Sequence, residues 1–171
     1  MERIILIGFM GAGKTTISAK LGQRLHLPVV DLDEFISKKI SGTIADYFEK
    51  YGEASFRYLE TECLQELLKQ KIILSTGGGI VVSSENRKLL SQEENVVYLE
   101  TSPKLFLERI RNDKENNRPL ANEKSDAEVV ALFQSRETYY KEAMSFSVAT
   151  DTKSPQEIVD EIIMQQKGRK S

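Results

Sequence analysis

Ile4-Ile5-Leu6-Ile7-Gly8-Phe9-Met10-Gly11-Ala12-Gly13-Lys14-Thr15-Thr16 decides the fold. Its first four residues are an unbroken apolar run rich in β-branched side chains, which reads as a strand buried on both faces. Gly8 to Thr15 fits GxxxxGK[ST], the phosphate-binding loop. Behind it, Ile17, Leu21 and Leu25 recur at helical spacing across Lys14 to Leu25. Strand before and helix after are the context the motif requires. The glycines let the backbone curl until several N–H groups face one phosphate chain, and the helix N-terminus adds positive potential. Lys14 is placed to reach the β- and γ-phosphates, and the Thr15 hydroxyl to ligate Mg²⁺. The stretch therefore implies a nucleoside triphosphate and magnesium, with Gly11, Ala12, Gly13, Lys14, Thr15 and Thr16 as the cradle.

Working outward, Pro28 to Asp31 is a short strand candidate ending in acids, and further buried-type strands lie at Ile72 to Ser75, Val96 to Leu99 and Phe146 to Val148. Helical stretches separate them. Thr43 caps Ile44 to Tyr51, with Gly52 as the stop, and Glu53 to Gln70 is amphipathic. Ser102-Pro103 and Ser154-Pro155 each read as a cap with proline at the first helical position. They open Lys104 to Arg111 and Gln156 to Gln166, and Gly168 to Ser171 reads as a frayed tail. The alternation predicts an α/β fold with a parallel sheet of about five strands. A mostly helical insert, about 34–70, separates the second and third strands. Asn112 to Lys124 is polar and aperiodic, and reads as a functional lid or a disordered loop.

Composition narrows the class. The 171 residues suit one core with small inserts. With 40% hydrophobic and 29% charged residues, the chain is too apolar for a disordered one. A single cysteine, Cys63, excludes an intramolecular disulfide, and a single histidine, His26, excludes HExxH sites. Cys63 reads as a buried apolar residue, and His26 receives no catalytic role. The net charge of -2 argues against a nucleic-acid partner. The run Ile4 to Ile7 is far too short to span a bilayer, so no membrane partner and a cytoplasmic location are expected.

The guanine-reading NKxD and the DxxG of GTPase switches do not occur, nor does the signature loop of ABC ATPases. That leaves small-molecule kinases. Asp31-Leu32-Asp33 closes the second strand, where ligands of open α/β sheets bind. Two carboxylates two apart on an extended segment point the same way. One suits hydrated Mg²⁺ and the other a hydroxyl, against the alternative of a solvated acidic turn. Arg57 and Glu60 are spaced to pair on one helix face. Gly77, Gly78 and Gly79 follow a buried strand and let a ligand approach the backbone closely. Arg118, within Asn117-Arg118-Pro119-Leu120, suits transition-state charge on a transferred phosphoryl group. Arg136 lies on the next helix. Arg109 and Arg111 precede the lid, and Arg109 reads as solvated surface.

Taken in order and spacing, these strings resemble the shikimate kinases from about Ile4 to Ile163. They are the cradle, Asp31-Leu32-Asp33-Glu34, Ile44-Ala45-Asp46-Tyr47-Phe48, Phe56-Arg57-Tyr58-Leu59-Glu60, Thr76-Gly77-Gly78-Gly79, Asn117 to Leu120 and Arg136 to Tyr140. The resemblance implies a three-layer α/β/α fold with a five-stranded parallel sheet of order 2-3-1-4-5. It implies one domain over 1–171, with a substrate-binding insert at about 34–60 and a lid at about 112–124. It further implies ATP- and Mg²⁺-dependent phosphorylation of the shikimate 3-hydroxyl, on the way to chorismate and aromatic amino acids, by a monomer.

By motif position, Lys14, Asp33 and Arg118 resemble the catalytic set, with Asp33 at the substrate hydroxyls and Asp31 near magnesium through water. Arg57 and Arg136 resemble the carboxylate-binding pair, with Glu60 holding Arg57. Gly78 and Gly79 resemble the backbone contacts, and Phe48 and Phe56 the apolar wall. Arg111 and Pro155 fall where the family faces adenine. The chain departs from the family's usual lid in having Ala121 after Leu120. The rival readings are a gluconate-type kinase and a nucleotide-binding regulatory module without turnover.

Overall fold

The computed structural model describes residues 2–112 and 124–170. β1 (Ile4–Ile7) lies at the centre of a parallel sheet with β2 (Val29–Asp31), β3 (Ile73–Ser75), β4 (Val96–Glu100) and β5 (Phe146–Ala149). The strand order is β2-β3-β1-β4-β5. Ile5 is in register with Leu74 on one side and Val96 on the other. Seven helices among the described residues surround the sheet: α1 (Lys14–Leu25), α2 (Leu32–Ile40), α3 (Ile44–Leu67), α4 (Ser84–Ser91), α5 (Pro103–Asn112), α6 (Asp126–Ala143) and α7 (Pro155–Lys170).

The apolar runs have no polar alternation because both sheet faces are covered. Ile5, Ile7, Leu74, Val96 and Tyr98 point into one layer with residues of α2 to α6. Ile4, Leu6, Ile73, Val97, Leu99 and Val148 point into the other, with Ile17 and Leu21 of α1 and Ile158, Val159, Ile162 and Ile163 of α7. This is the three-layer arrangement implied by the resemblance. No helix among the described residues is long and apolar enough to cross a membrane.

Caps fix where helices begin. The Thr43 hydroxyl accepts from the Asp46 N–H at 3.1 Å, and the Ser125 hydroxyl from the Glu128 N–H at 3.2 Å. Pro103 and Pro155 occupy first helical positions. Gly52 is the expected stop between two helical stretches: with φ 85° and ψ 170° it kinks α3, and helical geometry resumes directly after it. Three expectations are corrected. Regular helix ends at Leu67, and a turn from the Leu67 carbonyl to the Gln70 N–H completes it. The tail is not frayed through Gly168, because α7 continues to Lys170, whose ammonium meets Glu2 at 3.1 Å. Lastly, Asp31-Leu32-Asp33 is not extended throughout. Asp31 is the N-cap of α2, its Oδ1 accepting from the Glu34 N–H at 3.0 Å, so Asp33 sits in the first helical turn. The predicted lid core, including Arg118, lies outside the described residues.

Phe9 ties the cradle to the second layer. Its ring centroid lies 4.8 Å from Phe106 of α5 and 5.5 Å from Phe133 of α6, and those two are 5.2 Å apart. The loop that would receive phosphate thus shares one aromatic cluster with the helices on either side of residues 113–123.

Candidate active site

The site collects at the carboxyl ends of β1, β2 and β3. Gly11 and Gly13 take left-handed backbone angles, φ 81° and 92°, which let the loop curl back before α1. The Lys14 ammonium donates to the Gly8 carbonyl and, at 3.0 Å, to the Phe9 carbonyl, so it is folded over the loop it serves. Ala12 is buried beneath, while Thr15 and Thr16 are exposed on the first turn of α1. Arg109 is not surface decoration. Its guanidinium donates to the Gly11 carbonyl at 2.9 Å and would stand 3.5 Å from a Cβ on Gly13. The expectation failed because one arginine near a helix end carries no periodic signal. Phe106, three residues earlier and buried against Phe9, marks the face on which Arg109 falls.

Asp33 lies across from the cradle, mostly buried. Desolvation, and then the neighbouring Asp31 charge, push its carboxyl above the ordinary aspartate range. Lys14 and Arg57 pull the other way. The aspartate is therefore within the electrostatic reach of the phosphate-loop lysine and of the insert arginine at once.

Arg57, on the second half of α3, bonds the Glu60 Oε1 at 3.0 Å. Glu60 is 1% exposed, so this is no surface ion pair. Burial raises its carboxyl pKa, and Arg57 and Asn86 oppose the rise. Arg57 also stacks near Phe48 and Phe56, 5.9 and 5.3 Å from their ring centres, and the two rings lie 4.6 Å apart. The predicted wall and the predicted arginine are thus one cluster.

The glycine run takes part in a way its sequence did not disclose. None of Gly77, Gly78 and Gly79 has a positive φ. At Gly77 and Gly79 the reason for small size is that side chains of this chain lie against them. A Cβ on Gly77 would stand 3.0 Å from Asp33 Oδ1, and one on Gly79 only 2.5 Å from Arg57 Nη2. One on Gly78 would stand 3.4 Å from the Met10 nitrogen and 3.8 Å from Arg136 Nη1. The run is the floor against which Asp33, Arg57 and Arg136 rest.

Arg136 is mostly buried, which lowers its pKa, while the Tyr140 side chain one helical turn on pulls the other way. The Tyr140 hydroxyl donates to the Gly78 carbonyl at 2.6 Å, joining α6 to the glycine turn. Tyr140 was overlooked as a site component, although its i, i+4 spacing from Arg136 carries the signal. Arg111 is half-exposed and bound to Asp126 at 2.7 Å and to the Lys124 carbonyl at 2.9 Å, bridging α5 to the start of α6. Pro155 is exposed at the start of α7.

Among the described residues no three His, Cys, Asp or Glu side chains cluster as a metal cage. The Thr15 hydroxyl and Asp31 fit instead a small hard cation that takes most of its ligands from phosphate and water, as Mg²⁺ does.

Sheet order, cradle and helical insert define an α/β phosphate-loop kinase. A gluconokinase from Sinorhizobium meliloti shares this fold at TM-score 0.62 and 14% identity, over 98% of this chain and 92% of that one. The chain belongs to the shikimate kinase family, whose model matches residues 10–167. A shikimate kinase of Enterococcus faecalis is 52% identical over 98% of this chain and 99% of its own length. A solved shikimate kinase from Acinetobacter baumannii, in complex with shikimate, superposes at TM-score 0.90 with 36% identity, covering 99% of this chain and 95% of that one.

Proposed function

We propose that this chain transfers the γ-phosphoryl group of ATP to the 3-hydroxyl of shikimate. The observation that carries the reading is the glycine turn 77–79, against which Asp33, the Met10 nitrogen of the cradle, Arg136 and Arg57 all lie, with the Lys14 and Arg57 charges both acting on the Asp33 carboxyl. A phosphate cradle, a carboxylate and a carboxylate-binding arginine then face one cleft. Shikimate matches them with one carboxylate and three hydroxyls on a small ring.

The cradle N–H groups from Gly11 to Thr16 and the Lys14 ammonium bind the phosphate chain. Magnesium would be held by Thr15 and, through water, by Asp31, and would neutralise phosphate charge. Arg57 and Arg136 grip the acceptor carboxylate with charge-assisted hydrogen bonds. Glu60 fixes Arg57, Gly78 and Gly79 line the acceptor side, and Phe48 and Phe56 wall the ring. Asp33 accepts or orients the proton of the attacking hydroxyl, at an oxygen resting on Gly77. Transfer is loose, so orientation counts at least as much as basicity. Arg118 serves from the lid on the transferring phosphoryl group, and Arg111 and Pro155 face the base. Arg109, on the Gly11 carbonyl, steadies the cradle.

ADP release in a coupled assay with ATP and Mg²⁺ tests the reading. Release is expected with shikimate and not with gluconate or without acceptor. No shikimate-dependent release would overturn it. The floor role of Gly79 gives a second expectation. Gly79→Ala displaces the Arg57 guanidinium and raises the KM for shikimate by roughly ten- to hundredfold, with the KM for ATP nearly unchanged. Parallel steady-state titrations of the two substrates check it.

A further inference from the structure

Asn86, in the first turn of α4, is fully buried and makes no approach to the cleft. Its carboxamide is nonetheless saturated. Nδ2 donates to Glu60 Oε1 at 3.2 Å and to the Ile80 carbonyl at 3.0 Å. Oδ1 accepts from the Thr61 hydroxyl at 2.7 Å. The two Nδ2 partners are acceptors only, which dictates the orientation of the amide, and the single proton of the Thr61 hydroxyl is shared between Asn86 Oδ1 and the Arg57 carbonyl at 2.9 Å. Glu60 Oε1 is the same oxygen that receives Arg57 Nη1. Ile80 immediately follows the glycine that lies under the Arg57 guanidinium.

We propose that Asn86 is a positioning residue for acceptor binding: it fixes Glu60, hence Arg57, and ties the insert helix to the glycine turn. The inference rests on the proposed role of Arg57 toward the shikimate carboxylate. Two of the elements that carry the pocket, α3 and the turn after β3, are both bonded to Asn86. A carboxamide is the one group of this size with two donors and an acceptor for these three partners. An apolar replacement leaves a buried carboxylate and a buried carbonyl short of a donor. The charged groups facing Glu60 are Arg57 on its own helix and Asp33 on α2, with neutral Asn86 on α4. Loss of the Asn86 donor leaves Glu60 easier to protonate, and a protonated Glu60 holds Arg57 less firmly.

The test is Asn86→Leu, with Asn86→Asp as a second variant that keeps shape and the Thr61 contact but removes both donors. Each is expected to raise the KM for shikimate about tenfold while the KM for ATP stays within about twofold. The acid limb of kcat/KM for shikimate should move to higher pH. In an Asn86→Leu, Glu60→Gln double variant, the two losses should combine to less than their product. An unchanged shikimate KM in a cooperatively melting variant, or equal losses for both substrates, would overturn the proposal. Should both variants fail to fold, the carboxamide resonance of Asn86 in the unmodified protein is read instead, and a signal unmoved by shikimate overturns it. Arg57→Ala separates the two layers of inference. If it leaves shikimate affinity intact, the acceptor reading falls. If it abolishes affinity while Asn86→Leu is silent, only the role of Asn86 falls.

Discussion

Lys14→Ala is expected to lower kcat by about 10²–10³-fold, the scale on which a single preorganised group facing transition-state charge operates. The structure gives two reasons. The ammonium is the one side-chain cation of the phosphate-loop motif itself, and it sits over the Gly8 and Phe9 carbonyls, inside the curve that Gly11 and Gly13 create. Removing it takes away the charge meant for the phosphates and also the bonds that hold the loop in shape. Lys14→Arg should rescue poorly, because a planar fork does not replace a compact ammonium between two carbonyls. Single-turnover rates with saturating ATP and shikimate measure the chemical step. A kcat within tenfold of the parent would remove Lys14 from the catalytic set.

Asp33→Asn is expected to have a loss of about 10²–10⁴-fold in kcat/KM for shikimate, since the proton acceptor or orienting group disappears. Stability should move the other way. Burial and Asp31 raise the Asp33 pKa in the folded protein, so its charged form is disfavoured there. A raised carboxyl pKa gives stability that is complete below the unfolded-state value and is lost as pH rises through the folded-state value. At neutral pH the parent has lost that contribution, and the neutral amide has nothing to lose. The variant should therefore melt higher than the parent at pH 7, and the gap should close in acid. The parent's kcat/KM should rise with pH along an acid limb placed above the ordinary aspartate range, and the variant should lose the Asp33 part of that limb. Melting curves and pH–rate profiles check both halves. A variant melting lower at pH 7 would remove the desolvation argument.

The fold was readable where both sides of an element are apolar or its ends are capped. Ile4 to Ile7, Thr43 and the two Ser-Pro pairs marked strand and helix starts within a residue. The cradle was readable because its spacing has no other common use. What escaped the sequence were contacts between residues far apart in the chain. Asn86 and Tyr140 reach partners 26 and 62 positions away, and although the spacing from Arg136 places Tyr140 near the site, no local pattern names either distant partner. Arg109 looked like any surface arginine until α5 was seen to lie against Gly11. Asp33 was assigned its role on a wrong local conformation. The first turn of a helix and a strand both carry it toward the cleft, and only the capping bond of Asp31 tells them apart.

The glycine floor limits how this pocket can diverge. Its space is already occupied by Asp33, Arg57 and Arg136, which belong to three different helices. Adding a methyl group at Gly79 collides with the guanidinium, and withdrawing Arg57 leaves Glu60 buried without its cation. Each half of the arrangement is viable only with the other. A change of acceptor therefore takes paired replacements on separate elements, with a poorly active intermediate between them. Single-step drift toward another hydroxy acid is thereby disfavoured.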